Sequence, residues 1–273
     1  MLGAMRVPFV KMHGLGNDFV VLDAREASVP GMTADAARAI ADRREGIGCD
    51  QLILLEPSAS EAFRMRIFNC DGGEVEACGN AARAVAVLHG EPARIETRGG
   101  TIAVEPADGA ARVDMGSPRF EWDAIPLAYA MDTLSMPVGW DKLEGPSAVN
   151  VGNPHVVFFV DPDAAIDLAA IGPTIERDPL FPRGINVNVA SIIGQDHLRL
   201  DVWERGAGLT RACGTGACAT AVIAIRRGFV GNRVAVTLPG GDLLIEWEKG
   251  GTIAMSGPAR ESFRGDFEWE DFV

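Results

Sequence analysis

Cys78 and Cys213 stand in nearly the same surroundings. The run Ala77-Cys78-Gly79-Asn80-Ala81-Ala82-Arg83-Ala84-Val85-Ala86-Val87 lines up with Ala212-Cys213-Gly214-Thr215-Gly216-Ala217-Cys218-Ala219-Thr220-Ala221-Val222, with seven of eleven positions identical. In each copy the thiol precedes a Gly, then Asn or Thr, then an Ala-rich run, which places it at or beside the start of a buried helix. The unsatisfied N–H groups and positive dipole end there favour an anion. Such a cysteine can be partly thiolate near neutral pH, and the same N–H groups can hold a carboxylate. One thiolate and one thiol in a shared cleft suit inversion at a carbon alpha to a carboxylate. One removes the proton from one face, the other returns a proton to the opposite face, and fixed N–H dipoles carry the charge that develops between.

The elements that must position these thiols are themselves repeated. The two cysteines lie 135 residues apart, close to half of the 273-residue chain, as a tandem duplication requires. Upstream, Phe63 to Phe68 answers Leu198 to Trp203, both alternating strands, and Gly16-Asn17 with Phe19 to Asp23 answers Gly152-Asn153 with Val156 to Asp161. Downstream, Thr97 to Glu105 with Gly99-Gly100 answers Thr237 to Glu246 with Gly240-Gly241, and Met115 to Pro118 answers Met255 to Pro258. Each half reads as short strands around one Ala-rich helix, ending near His89 or Arg227, that is apolar on most sides and calls for burial. The fold class expected is therefore α+β: two pseudo-symmetric duplicated domains, each a mostly antiparallel sheet or barrel wrapped around a central helix. Further helices are expected over Thr33 to Arg44, capped by Thr33, and over Pro162 to Glu176. The boundary is placed at 128/129, in the aperiodic stretch from Ala128 to Ala148, with the last strand or strands free to cross to the other half.

Composition narrows the partners. The net charge of −13 argues against a sequence-independent grip on nucleic acid, and no apolar run approaches the roughly 18 residues of a membrane helix. No secretory signal opens the chain, so a reducing cytoplasm is expected; Met5 is an alternative start to Met1, with Met1 to Ala4 an extension. Cys49, Cys70 and Cys218 read as small buried hydrophobes. The five cysteines form no paired metal-ligand spacing, and no GxGxxG, Walker lysine or paired His-Glu helix motif is present, so neither metal nor cofactor is expected.

Five segments together carry a family resemblance: Lys11-Met12-His13-Gly14-Leu15-Gly16-Asn17-Asp18-Phe19, Phe68-Asn69-Cys70-Asp71-Gly72, Ala77-Cys78-Gly79-Asn80, Gly152-Asn153-Pro154-His155, and Trp203-Glu204-Arg205-Gly206-Ala207-Gly208 through Ala212-Cys213-Gly214-Thr215-Gly216. From about Arg6 to Gly257 the chain resembles the diaminopimelate epimerases. The resemblance implies a PLP-independent two-base epimerase that interconverts LL- and meso-diaminopimelate on the lysine and peptidoglycan route, a homodimer with a cleft between its halves. It makes Cys78 and Cys213 the acid/base pair, gives His155 and Glu204 supporting catalytic roles, and offers Gly79-Asn80 and Gly214-Thr215 to the reacting carboxylate. It implies substrate contacts at Asn17, Gln51, Asn69, Asn153, Asn186, Glu204 and Arg205. A diamino diacid suits this set, with Glu204 for an ammonium and Arg205 for the distal carboxylate. Three positions depart from the pattern: Gly73 stands where Ser is common, Ala81 where Gly is, and Leu209 where Glu is. A related two-cysteine racemase of proline or hydroxyproline is the alternative.

Overall fold

The computed structural model describes residues 5–26, 29–76 and 78–272; the extension Met1 to Ala4 and Ala77 of the repeated motif lie outside the described residues. The chain forms two compact units, one of residues 1–113 with 257–273 and one of residues 114–256. In chain order the first stretch holds β1 (Arg6–Gly14), β2 (Asn17–Asp23), α1 (Ala34–Ala41), β3 (Gln51–Glu56), β4 (Phe63–Asn69), β5 (Glu74–Val75), α2 (Gly79–His89), β6 (Ala93–Thr97), β7 (Gly100–Ala107) and β8 (Ala110–Asp114). There follow β9 (Gly139–Trp140), β10 (Leu143–Glu144), β11 (Ser147–Asn150), β12 (Pro154–Phe159), α3 (Leu168–Glu176), β13 (Asn186–Gly194), β14 (His197–Glu204), β15 (Gly208–Thr210), α4 (Gly214–Arg226), β16 (Arg233–Leu238), β17 (Gly241–Trp247), β18 (Ile253–Pro258) and β19 (Arg260–Glu268). The fold is α+β and duplicated.

Pairing registers carry the duplication further than the sequence identity does. The hairpin β1/β2 is answered by β11/β12. Strand β3 runs parallel to β2 with Gln51 opposite Phe19, as β13 runs parallel to β12 with Asn186 opposite His155. Strand β4 then returns antiparallel to β3 and lies parallel to β6, as β14 returns antiparallel to β13 and lies parallel to β16. Alternation drives these strands: Phe63, Met65 and Ile67 are buried between half-buried Arg64 and Arg66, and Leu198, Leu200 and Val202 are buried between exposed Arg199 and Asp201. Strand β3 has pairing partners on both sides and buries Leu52 to Leu55 without a break.

Each Ala-rich helix is the apolar centre of its unit. Helix α2 packs on β1, β2, β7 and β19, and α4 on β11 to β14, β16 and β17. Small side chains let a helix backbone approach a sheet closely, and α4 accordingly buries every residue from Gly216 to Ala224.

Helix α1 begins after Thr33, whose hydroxyl accepts from Ala36 N–H, and it ends at Ala41, because Asp42 turns extended and its carboxylate takes the N–H groups of Arg44 and Glu45. Helix α3 starts at Leu168, not Pro162, because the Asp167 carboxylate caps Ala170 N–H. The stretch read as a boundary is packed: Met136, Leu143 and Ala148 join Phe158, Leu168 and Phe181 in the core of the second unit. The units divide instead at 113/114 and 256/257, and β19 pairs antiparallel with β1 along nearly its whole length. Phe267 and Trp269 fill the first unit's core beside Val7, Phe9 and Met32.

Candidate active site

In the first unit Cys78 is the N-cap of α2. Its backbone is extended (φ −147°, ψ 114°), its carbonyl accepts from Ala82 N–H, and its sulfur accepts from Ala81 N–H at 3.5 Å. The β1/β2 turn brings Asn17 to the same helix start, because Leu15 and Gly16 both take left-handed φ values, 57° and 93°. Asn80 Nδ2 donates to Asn17 Oδ1 at 3.1 Å, and Asn17 Nδ2 donates to Asp50 Oδ2 at 2.9 Å. One position along β3, Gln51 Nε2 donates to Asn69 Oδ1 at 3.0 Å. These four amides form two hydrogen-bonded pairs, Asn17 and Gln51 at strand starts, Asn80 in the first turn of α2 and Asn69 at the end of β4.

The strand and turn that carry Asn17 are held by charge. Lys11 pairs with Asp18 at 2.6 Å and with the Gly48 carbonyl, while Arg43 bridges Asp18 and Asp50, each at 2.6 Å. Burial pushes the Asp18 carboxyl up, yet hydrogen bonds from Arg43 and Lys11 outweigh it and hold Asp18 well below the usual carboxylate range. Asp50 is a positioning residue that no motif marks; its only signal is its place beside Gln51.

In the second unit Cys213 is the N-cap of α4 (φ −118°, ψ 104°) and is buried. Gly216 N–H donates to its sulfur at 3.3 Å, and the Thr215 hydroxyl lies 3.5 Å from it. Asn153 Nδ2 donates to Thr215 Oγ1 at 3.3 Å, and His155 Nε2 lies 2.9 Å from Asn153 Oδ1. Asn186 donates to the Pro154 carbonyl at 2.8 Å and accepts from Arg205 N–H at 2.9 Å. Glu204 accepts from the Thr210 hydroxyl at 2.6 Å. The exposed Arg205 guanidinium donates to the Arg183 carbonyl at 2.9 Å, which leaves further N–H donors on its fork. Glu176 fixes the β14/β15 turn through Trp203 Nε1 and Gly206 N–H, a role no motif signals.

Burial pushes the Cys213 thiol well up, and the nearby Glu204 carboxylate adds to it, against hydrogen bonds from Thr215 and Gly216. Both influences favour the S–H form of Cys213. Desolvation pushes His155 down to about 3, so its ring is neutral. Of the remaining cysteines, Cys49 and Cys218 are buried, with Cys49 pushed up to about 12 by desolvation. Cys70 is exposed, contrary to its expected burial, because it lies one residue past the end of β4 in the turn to β5.

Gly216 marks how closely α4 is fitted. A Cβ added there would stand 2.8 Å from Asn188 Oδ1, 3.0 Å from Val202 Cγ2 and 3.2 Å from Cys213 Sγ. Ala81, at the matched position of α2, already carries that methyl, and the residues there corresponding to Asn188 and Val202 are Ile53 and Ile67. Gly216→Ala should lower thermal stability by about 1–3 kcal/mol despite the better helix former, through overpacking. It should also reduce turnover at least tenfold. A variant as stable and active as the parent would show slack around the sulfur.

The architecture recurs in solved structures. A hydroxyproline epimerase from Agrobacterium vitis, with bound trans-4-OH-L-proline, superposes with a TM-score of 0.67 at 14% identity over 97% of this chain and 93% of that one. A methylitaconate-delta-isomerase superposes at 0.61 and 15% identity over 99% and 97%. The chain thus has the duplicated α+β fold found in these isomerases. The sequence model of the family described as diaminopimelate epimerase matches residues 9–121 and 147–261. Diaminopimelate epimerases of Erythrobacter litoralis and Sphingopyxis alaskensis are 71% and 64% identical over 98% and 97% of this chain, covering 100% and 98% of those proteins. The chain belongs to the diaminopimelate epimerase family and is an isomerase. Among the described residues no helix is long and apolar enough to cross a membrane.

Proposed function

We propose that this enzyme interconverts LL- and meso-diaminopimelate in the cytoplasm, as a homodimer, on the route to lysine and peptidoglycan precursors, using Cys78 and Cys213 as its two proton-transfer groups and no PLP. The observation that carries the reading is the pair of thiols capping equivalent helices, each taking an N–H bond from its own first turn. One thiolate removes the α proton. The carboxylate, held at the helix starts by the N–H groups of Gly79-Asn80 and Gly214-Thr215, takes up the developing charge. The other thiol then protonates the opposite face. Burial and Glu204 favour the S–H form of Cys213, so Cys213 serves as the acid and Cys78 as the base in one direction of inversion, and the two exchange roles in the other. A substrate ammonium beside Glu204 neutralises one of the two influences that keep Cys213 protonated. Asn17, Gln51, Asn69, Asn153 and Asn186 supply fixed amide contacts, and Arg205 grips the distal carboxylate.

The test is turnover in heavy water. LL-diaminopimelate converted to the meso form should carry one solvent deuterium at the inverted α carbon. Product without deuterium, or faster turnover of proline or hydroxyproline in a parallel substrate panel, would sink the proposal.

A further inference from the structure

Behind Cys213 the second unit buries polar side chains where the first buries apolar ones. His155 and Asn188 are 0% exposed, and the matched positions of the first unit hold Phe19 and Ile53, also 0% exposed. Burying an imidazole and an amide in place of two hydrocarbons costs stability unless both are paired.

One carbonyl fixes every bond direction along this row. The Val156 carbonyl can only accept, so the atom of Asn188 facing it at 2.9 Å is Nδ2, a donor. The remaining acceptors around that nitrogen are His155 Nδ1 at 3.1 Å and, at the longer 3.5 Å, the Asn186 carbonyl, so the second hydrogen goes to Nδ1. Nδ1 must then accept, so the ring proton sits on Nε2 and is donated to Asn153 Oδ1 at 2.9 Å. Asn153 in turn presents Nδ2 to Thr215 Oγ1 at 3.3 Å, and the Thr215 hydrogen is left for Cys213 Sγ at 3.5 Å. In the first unit the matching bonds run the other way: Asn80 donates to Asn17, and Asn17 donates to the Asp50 carboxylate, away from the thiol.

We propose that Asn188 is a positioning residue for Cys213: by holding His155 Nδ1 as an acceptor, it directs the row so that it ends in an O–H group aimed at the sulfur. The catalytic part of this inference rests on the two-thiol reading above. Once Cys213 has delivered its proton, an anionic sulfur is left in a buried place beside Glu204, and the Thr215 O–H and Gly216 N–H are donors that stabilise it. Without Asn188 both tautomers of His155 become available, and the Thr215 hydrogen is no longer committed to the sulfur.

Two measurements test this. In the ¹⁵N-labelled parent protein, which has four histidines, the nitrogen shifts of His155 should show a proton on Nε2 and a bare Nδ1; a proton on Nδ1 overturns the proposal. In Asn188→Leu, the pH profile of Cys213 alkylation by iodoacetamide, followed by peptide mass spectrometry, should move up by about one pH unit. That is about tenfold slower reaction at a fixed pH below the midpoint. The Cys78 profile should stay in place, and kcat should fall about tenfold with KM little changed. Thr215→Val should shift Cys213 by a similar amount, and the double variant no further, because both changes break one row. An unmoved Cys213 profile, additive shifts, or equal shifts at both cysteines would each overturn it. If Asn188→Leu does not fold, the tautomer in the parent protein still decides. Should Cys213→Ala keep inverting substrate, the two-thiol reading fails while the tautomer and alkylation results stand on their own.

Discussion

Cys78→Ala and Cys213→Ala should each lower inversion of diaminopimelate by at least about a thousandfold, within the range that a positioned acid or base contributes. Each substitution also removes a helix cap, since both sulfurs accept an N–H bond from the first turn of their helices. Lost activity alone would therefore not separate chemistry from folding. The serine variants make that separation. A hydroxyl is the better N-cap, so Cys78→Ser and Cys213→Ser should melt at or above the parent temperature, yet they should invert substrate poorly because an alcohol is a far weaker acid than a thiol. A stable serine variant with near-parent turnover would refute a thiol role at that position.

The second large effect is acid sensitivity through His155. Its ring is pushed down to about 3 in the folded chain against an ordinary value of 6.5. Between those values the unfolded chain binds a proton that the folded chain refuses, so stability falls as the pH drops below about 6.5. Above that pH both states are neutral and the residue contributes no slope. The loss is about 1.4 kcal/mol per pH unit, or about 2 kcal/mol by pH 5. Asp18 acts in a different window: its lowered carboxyl contributes stability that is present above the ordinary carboxylate value of 3.8 and is lost only as the pH falls below it. Urea unfolding at pH 7.5 and pH 5 should therefore show the drop in the parent and a drop smaller by about 2 kcal/mol in His155→Gln. Equal drops in the two proteins would mean that His155 is not the group responsible.

Much of the site was legible because duplication wrote it twice. The run after each cysteine carries its own helix signal, Thr33 announces α1, and the 135-residue offset joins Gln51 to Asn186 before any strand is paired. What stayed hidden depends on non-local contacts. That the last strand or strands can cross to the other half is expected from the sequence, but nothing near Arg260 names β1 as the partner of β19 or places the division at 256/257. The stretch from Ala128 to Ala148 reads as a connection because its buried residues, among them Thr133, Met136, Leu143 and Ala148, fall at spacings that hold neither a strand's nor a helix's period. The start of α3 is hard to place from sequence because only Asp167 separates Ala164, Ala165 and Ile166 from the apolar first turn of the helix. Asn188 did leave a trace: Asn186-Val187-Asn188-Val189 alternates polar and apolar, which puts both amides on one face of β13. That trace matters only once His155 is known to lie across the parallel register.

The return of β19 to β1 sets an order on biosynthesis. The middle unit is one continuous segment and has all its residues once Ser256 leaves the ribosome. The unit made first must wait. Until Arg260–Glu268 emerges, β1 has only β2 beside it, and the core around Val7 and Phe9 lacks Phe267 and Trp269. The N-terminal strand is thus an open edge of the nascent chain through almost the whole of translation, exposed to pairing with other chains. A stop ahead of Arg260 would leave β1 without the strand that closes its edge.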